Sequence, residues 1–340
     1  MGRARRATAA RASRATRARY PVTRRRGAAP ARTASIALPR TRGDVELDVG
    51  GRRVRLTNLD KLFFPEIGAT KRDLLQYYAD VAPVLLPHLR DRAMVMKRYP
   101  NGAAGDFFFM KRAPRPRPEW ITTCAIEHAS GSVIDFPVVN DLAALLWVVN
   151  LGCIDLNQWY ARCDDVDRPD YLHFDLDPVG EVEFATVREA ATVVNATLRA
   201  LGMPTWVKTT GSRGLHVYVP IVRGPTQKQV WEVSKTIAVD VARRNPRLLT
   251  AVYKKAARPL GRVLVDYNQN AWGRTLASVY SVRPRPRATV STPVTWAEVA
   301  RGFALEDFRM ENVPARIDEL GDLWAPLNAP KNRFDLARLA

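Results

Sequence analysis

The most informative segment of the 340-residue chain is Tyr171-Leu172-His173-Phe174-Asp175-Leu176-Asp177-Pro178. Its aromatic and aliphatic residues predict a β-strand. Because successive side chains of a strand point to opposite faces, Asp175 and Asp177 should project from one face while Leu176 points into the core. Pro178 cannot donate a backbone hydrogen bond, so we expect it to end the strand. The acid pair would then lie at the carboxyl end, where α/β sheets usually place their sites.

Two carboxylates at this spacing repel each other unless a cation lies between them. Oxygen ligands suit Mg²⁺ or Mn²⁺. A third acid, Asp266, follows the apolar residues Val263, Leu264 and Val265. Three acids at neighbouring strand ends can hold two divalent ions for in-line phosphoryl transfer. The Asp-x-Asp pattern alone is common and more often marks a solvated strand end, so both interpretations stay open at this point.

A turn rich in glycine and hydroxyl groups lies between the acids, and comprises Thr210, Gly211, Ser212, Arg213 and Gly214. Such a turn can approach phosphate oxygens closely. Arg213 can add a forked charged contact, and His216 is a further donor on the predicted strand that follows. The GxxxxGK[ST] pattern is absent, which excludes a Walker loop. An ordinary hairpin with a buried histidine is the alternative.

Outward from these motifs, hydrophobic periodicity and turn signals predict alternating strands and helices. We expect strands at residues 45–49, 54–57, 94–98, 133–138, 171–176, 205–208, 215–219, 262–266 and 278–282. We expect helices at residues 70–86, 141–156, 184–201 and 227–243, and a helical, peripheral segment over the last forty residues. This order predicts an α/β (α+β) fold.

The predicted organisation has three parts: a disordered basic tail over residues 1–42, a catalytic domain over 43–305, and a C-terminal helical segment over 306–340 packed on that domain. The tail carries thirteen arginines and no acid, which accounts for +13 of the formal net charge of +19. A disordered phosphate-attracting arm, a start codon assigned too far upstream and a transit peptide are all compatible with this composition. The moderately basic remainder is compatible with a nucleic-acid partner.

Cysteine usage and hydropathy indicate the compartment. Cys124, Cys153 and Cys163 form no CxxC pair, so we expect reduced thiols and no zinc site. The longest apolar run, residues 142–149, is too short to cross a bilayer and predicts a buried helix. We therefore expect a cytoplasmic, nucleoid-associated bacterial protein without a membrane partner.

The motifs in their order resemble the polymerase domain of bacterial ligase D, a member of the archaeo-eukaryotic primase superfamily that serves non-homologous end joining and gap repair. The resemblance is carried by FDLDP, TGSRGLHVYVP, VLVDYNQN and SVRPRPRATVSTPVTW, and by LTNLDKLFFPEIGATK, VAPVLLPHLRDR and MKRYPNG nearer the N-terminus. It spans about residues 56–303. It implies a primase-polymerase fold of two mixed-sheet α/β subdomains with the metal site between them.

The resemblance also implies site residues and partners. Metal ligation of two Mn²⁺ or Mg²⁺ ions would fall to Asp175, Asp177 and Asp266. Nucleotide binding would fall to Lys97, Asn157, Thr210, Ser212, Arg213, His216, Arg274 and Arg283. Contacts to DNA would fall to Lys61 and Lys71, at the 5′-phosphate of a gap, and to Phe108 and Phe109, against the template. The implied partners are gapped or broken DNA, NTP or dNTP, a Ku-like protein and a separate DNA ligase.

Several features differ from the family pattern or leave alternatives open. Asn157 stands where the family usually has a nucleotide-pocket histidine, and Met110 replaces an acid. A K-x-D-G adenylation motif is absent, so we expect the polymerase module without a ligase. From the residues alone, Phe108 and Phe109 would suit core packing. Lys61 and Lys71 would suit a solvated helix end. A primase that starts chains unaided and a non-catalytic scaffold for DNA ends or gaps are the alternative functions.

Overall fold

The computed structural model describes residues 36–339, and the elements below are numbered in chain order. The helices are α1 Lys71–Leu89, α2 Leu142–Asn150, α3 Phe184–Ala200, α4 Gln227–Arg244, α5 Trp296–Arg301 and α6 Val313–Leu320. The first strands are β1 Val45–Val49, β2 Arg52–Leu56, β3 Leu62–Phe64, β4 Ala69–Thr70, β5 Met94–Arg98, β6 Phe108–Met110, β7 Thr123–Glu127, β8 Val133–Pro137 and β9 Cys153–Gln158. The later strands are β10 Ala161–Arg162, β11 Asp165–Pro169, β12 Tyr171–Val179, β13 Trp206–Thr209, β14 Leu215–Pro220, β15 Leu249–Thr250, β16 Arg262–Asp266 and β17 Pro293–Val294.

A six-stranded sheet with the order β15-β16-β12-β14-β13-β17 carries the acidic motif. Its pairs are antiparallel except β15 with β16, so the sheet is mixed. Helices α3 and α4 pack against it. A smaller sheet, β6-β5-β9, is wholly antiparallel, which corrects the expectation of two mixed sheets. One continuous hydrophobic core joins both sheets with α1 and α2, and the α/β fold class is confirmed.

Local sequence signals account for the helix starts. Thr70 and Asp73 form a reciprocal capping box at the first turn of α1. The Asp141 side chain accepts a hydrogen bond from the Ala144 backbone and begins α2. None of the helices within residues 36–339 combines the length and hydropathy that a bilayer crossing needs.

Two predicted element boundaries were wrong because long-range pairing overrides local pattern. Strand β12 continues past Pro178 to Val179. The pairing of β12 with β14 ends at Leu176, so Pro178 pairs only with Val263 of β16. Because β14 does not extend alongside Pro178, the missing N–H of the proline interrupts no hydrogen bonding between β12 and β14. The predicted helix over 141–156 ends at Asn150. Gly152, with φ of +82°, turns the chain into β9, which pairs with β5.

Residues 278–282 do not form the predicted strand. Tyr280 adopts φ of +60° in a turn, and Val282 makes only an isolated bridge to Val290. The C-terminal segment contains one eight-residue helix, α6, and buries Trp324 and Leu327, so it is less peripheral than predicted.

The predicted tail and the predicted thiols also need correction. Leu38 is buried, and its backbone N–H donates to the Gln76 side chain on α1, so residues 36–42 belong to the folded part. The remainder of the predicted tail, residues 1–35, lies outside the described residues. Cys124 and Cys163 are joined in a disulfide, because β7 and the β10–β11 hairpin bring their Cα atoms within 5.7 Å. Cys153 alone is a free, buried thiol.

Candidate active site

Strand pairing brings the three acids together. Asp175 on β12 lies directly opposite Asp266 on β16 and opposite His216 on β14. Asp177, two residues along β12, shares the face of Asp175. Asp175 is buried, whereas Asp177 and Asp266 are partly exposed. The sequence-predicted triad therefore occupies two adjacent central strands of the mixed sheet.

The electrostatics of the acid pair are unfavourable as they stand. Burial, and next the charge of Asp266, raise the pKa of Asp175 to about 7. The charge of Asp175, and next burial, raise the pKa of Asp177 to about 7. Atom Oδ1 of Asp175 is buried without a hydrogen-bond partner, although His216 Nε2 lies 3.2 Å away. Each feature marks negative charge that the protein does not fully compensate.

Asp266 is held in place by its own turn. Its Oδ1 accepts from the Asn268 backbone N–H at 2.9 Å, and its Oδ2 accepts from Gln269 Nε2 at 3.0 Å. Within residues 36–339, no three His, Cys, Asp or Glu side chains already converge as a preassembled metal site would require. The oxygen donors, the repulsion between Asp175 and Asp177 and the unpaired buried oxygen nevertheless fit a hard divalent cation.

The glycine-rich turn predicted as a phosphate loop lies against the acid-bearing strand. Thr210 Oγ1 accepts from the backbone N–H groups of Ser212 and Gly214, both at 3.1 Å, and closes the loop. A Cβ atom at Gly214 would lie 2.2 Å from the Leu176 carbonyl oxygen and 3.2 Å from Asp177 Oδ1. Only glycine allows this approach, so the loop and the carboxylates form one surface.

A cavity of about 650 Å³ opens between the two sheets. Its lining includes every predicted nucleotide-binding residue, namely Lys97, Asn157, Thr210, Ser212, Arg213, His216, Arg274 and Arg283, together with Asp175 and Asp177. Asp266 is not part of the lining. The small sheet supplies Lys97 and Asn157, and the mixed sheet supplies the acids, so the candidate site lies between the sheets.

Sequence reasoning missed several cavity residues, among them Lys111, Asp155, Gln269 and Arg285. Arg283 Nη1 donates to the Thr210 carbonyl at 2.9 Å, and its Nε lies 3.4 Å from Asp155 Oδ2. Arg285 contacts the Ser212 hydroxyl. The alternation of arginine and proline over 283–287 was a usable signal for Arg285, whereas nothing in the sequence distinguished Asp155 from a surface acid.

Asn157, which replaces the family histidine, lies in β9 beside Asp155. Its amide nitrogen donates to the Asp155 carbonyl at 3.0 Å and lies 3.3 Å from Asp155 Oδ1. Asn157 is buried but is part of the cavity lining.

Exposed aromatic rings border the cavity. Phe107, Phe108 and Phe109 are 50%, 43% and 59% exposed, which excludes core packing for the predicted pair. Lys97 Nζ lies 4.0 Å from the Phe107 ring centroid, a cation–π contact that sequence reasoning missed. Arg98 lies over the Phe108 ring at 5.2 Å. Phe107 and Phe109 contact each other edge to face beside Lys97, whereas Phe108, on the other face of β6, lies beside Arg98.

Lys61 and Lys71 lie together, apart from the cavity lining. The Lys71 backbone N–H donates to the Lys61 carbonyl at 2.8 Å. Lys71 is only 4% exposed, its Nζ donates to the Thr57 carbonyl at 2.7 Å, and burial lowers its pKa to about 8. Lys61 is exposed, and its Nζ donates to the Pro100 carbonyl and the Asn101 side chain. Lys61 is therefore a solvated residue of the turn before β3, and Lys71 is at the helix start but is not solvated.

Comparison with known proteins gives consistent matches. The family model of the LigD primase-polymerase domain matches residues 70–324. The chain is 36% identical over 279 residues to the multifunctional non-homologous end joining protein LigD of Mycolicibacterium smegmatis, covering 82% of this chain and 36% of that protein. It is 30% identical over 308 residues to the corresponding LigD of Pseudomonas aeruginosa, covering 88% of this chain and 36% of that protein.

A solved structure matches as well. The polymerase domain of Mycobacterium tuberculosis ligase D, in complex with DNA, superposes with a TM-score of 0.77 at 32% identity. The match covers 82% of this chain and 99% of that domain. The chain thus spans little more than a third of the length of the two curated relatives.

Proposed function

The chain belongs to the family of LigD primase-polymerase domains, and we propose that it is a metal-dependent nucleotidyltransferase that adds ribo- or deoxyribonucleotides to a primer 3′ end on a DNA template. The proposed setting is short-gap filling and end joining. One observation carries the proposal: Asp175 and Asp177 line the same cavity as the hydroxyl-bearing loop of residues 210–214. Four arginines line that cavity too. That combination suits a metal-bound triphosphate.

The acids are the proposed ligands of two divalent ions, Mn²⁺ or Mg²⁺. Such ions, when bound, would activate the primer hydroxyl and neutralise charge on the triphosphate and the leaving pyrophosphate. Asp175 is the most buried of the three acids and lies on β12, between β14 and β16, where it would be one of the ligands. Asp266 is oriented by its bonds to Asn268 and Gln269.

The chain's own groups would bind and orient the nucleotide. The charge of Asp175 and burial raise the pKa of Asp177, and the charge of Arg213 partly offsets that rise, so Arg213 acts on the acid cluster. Arg283 is braced by the Thr210 carbonyl and Asp155, which presents its guanidinium to the cavity in a set direction. On the opposite wall, Lys97 and Asn157 would contact the sugar or base side of the nucleotide. Charged, forked donors of this kind recognise phosphate oxygens well.

Two further surfaces suit a gapped DNA substrate. The exposed Phe108 and Phe109 rings would stack on template bases where the strand bends. Lys71 is a buried cation without a carboxylate within ion-pair distance in the described part of the chain. With the neighbouring Lys61, it would bind a terminal 5′-phosphate at the helix start.

Primer extension on a gapped, 5′-phosphorylated template tests the proposal. Asp266→Asn and Asp177→Asn should each lower the extension rate roughly a thousandfold or more, because the acids act as one unit. DNA affinity should be unchanged. The matched control is Asp240→Asn, which alters a surface acid of α4 paired with Arg243.

Near wild-type extension by Asp266→Asn in Mn²⁺ would contradict the triad. Extension that starts on a template without any primer would instead support de novo priming. If the wild-type protein binds gapped DNA but extends no primer with any metal, the scaffold alternative would be supported.

A further inference from the structure

Lys208 on β13 is fully buried, although lysine is among the residues least often buried without an ionic partner. No carboxylate of residues 36–339 forms an ion pair with it. Its Nζ instead has three neutral partners: His216 Nδ1 at 2.6 Å, the Ala277 carbonyl at 3.0 Å and Ser291 Oγ at 2.5 Å. Burial lowers the pKa of Lys208 well below its usual value. The ammonium form has three N–H donors, and the three partners supply one acceptor for each of them.

The neighbouring bonds decide the direction of each of these contacts. The Ala277 carbonyl can only accept. The Ser291 hydroxyl already donates to the Thr209 carbonyl at 2.8 Å, so its oxygen accepts from Lys208. The third N–H of Lys208 is therefore available for His216, which is the direct cross-strand partner of Lys208. When Nδ1 of a neutral imidazole accepts, the ring proton lies on Nε2.

The proton on Nε2 faces the acid cluster. His216 Nε2 lies 3.2 Å from Asp175 Oδ1, the buried oxygen that lacks any other partner. The opposite tautomer would place the Nε2 lone pair against that carboxylate oxygen, and two facing acceptors repel.

We propose that Lys208 is a positioning residue that sets the tautomer of His216 and, through it, the orientation of Asp175. The contact chain runs from Lys208 Nζ through both imidazole nitrogens to Asp175 Oδ1. His216 thus has both ring nitrogens in contact with a protein group. The part of this inference that concerns metal ligation rests on the proposed function, because it takes Asp175 as a ligand.

The tautomer is measurable without metal, nucleotide or DNA. In the wild-type protein labelled with ¹⁵N-histidine, His216 should show a pyridine-type Nδ1 and a pyrrole-type Nε2. The His216→Gln variant identifies its signals among the four histidines. In Lys208→Met, which removes the donors at similar length, the signals should shift towards a mixture of tautomers. A pyrrole-type Nδ1 in the wild-type protein would overturn the proposal, even if no variant of Lys208 folds.

Extension kinetics supply the second measurement. At saturating Mn²⁺ and nucleotide, Lys208→Met should lower kcat about 10–100-fold, the usual cost of losing a group that orients a metal ligand. The matched control, Ser291→Ala, removes a different partner of Lys208 from the same buried region and leaves the bond to His216. Its kcat should stay within about threefold of wild type, although it too loses stability.

Equal kcat values for Lys208→Met and Ser291→Ala would reduce Lys208 to a structural residue and overturn the proposal. An inactive wild-type protein would refute the proposed function, whereas the imidazole spectrum would still decide the role of Lys208.

Discussion

Replacing Gly214 with alanine should disable the site by a steric effect alone. Gly214 has no positive φ, so alanine is compatible with its backbone conformation. The added Cβ would nevertheless lie 2.2 Å from the Leu176 carbonyl oxygen, whereas real Cβ atoms keep at least 3.0 Å. The obstructing atom belongs to the backbone of a central strand and cannot rotate away. The loop must therefore withdraw by about 0.8 Å, which follows from these two distances.

Two magnitudes follow from that displacement. A misplacement of about 1 Å at a reacting centre costs on the order of 100-fold in rate, equivalent to about 2.7 kcal/mol of transition-state stabilisation. Crowding a packed site costs about 1–3 kcal/mol of unfolding free energy. We expect kcat/KM for single-nucleotide extension to fall about 100-fold, with a folded protein at assay temperature.

The control is Gly224→Ala. Gly224 also lies in a loop without a positive φ, and a Cβ atom added there would have no other atom within 4 Å. Extension kinetics and thermal unfolding should be measured on both variants. Wild-type activity in Gly214→Ala would refute the view that contact between the loop and the acid-bearing strand positions the phosphates.

Three further predictions concern stability and DNA recognition. Asp170→Asn should lower the free energy of unfolding in urea by about 3–5 kcal/mol, because the fully buried Arg92, which donates to both carboxylate oxygens of Asp170 at 2.7 Å, loses its counter-ion. A loss below about 1 kcal/mol would contradict this. Deleting residues 1–42 should lower the unfolding free energy by about 2 kcal/mol more than deleting residues 1–35, because only the longer deletion removes the buried Leu38. Equal melting temperatures of the two deletion variants would show that residues 36–42 do not contribute. Wild-type protein should bind a gap with a 5′-phosphate about 1.5–3 kcal/mol more tightly than one with a 5′-hydroxyl. Lys61→Ala with Lys71→Met should erase that preference but spare extension without a downstream strand, and equal wild-type affinity for both gap ends at one salt concentration would refute the assignment.

Much of the site was predictable because its signals are local. Strand alternation places Asp175 and Asp177 on one face, and the turn chemistry of residues 210–214 predicts a loop without reference to the rest of the chain. The eight predicted nucleotide-binding residues all line one cavity. The resemblance identified Lys97 and Asn157, which are over fifty residues apart in the chain and have no local signal for a shared site.

The tertiary structure alone decided features that depend on register and burial. Pro178 can remain within β12 because the pairing with β14 ends at Leu176, so β14 needs no N–H from the proline. Lys71 and Lys208 look like ordinary charged positions in the sequence, and only the packing around them shows that each side chain is buried with its amino group hydrogen-bonded.

The sequence by itself determined the fold class, the acids and the order of the motifs, because strand periodicity, capping and turn preferences act over a few residues. Only the tertiary structure decided that Asp266 faces Asp175, that Arg285 and Asp155 join the cavity, and that Lys208 bonds to His216. Those relations depend on which strands pair and in what register. Register is set by burying one face of every strand in a common core, a condition that no local segment contains.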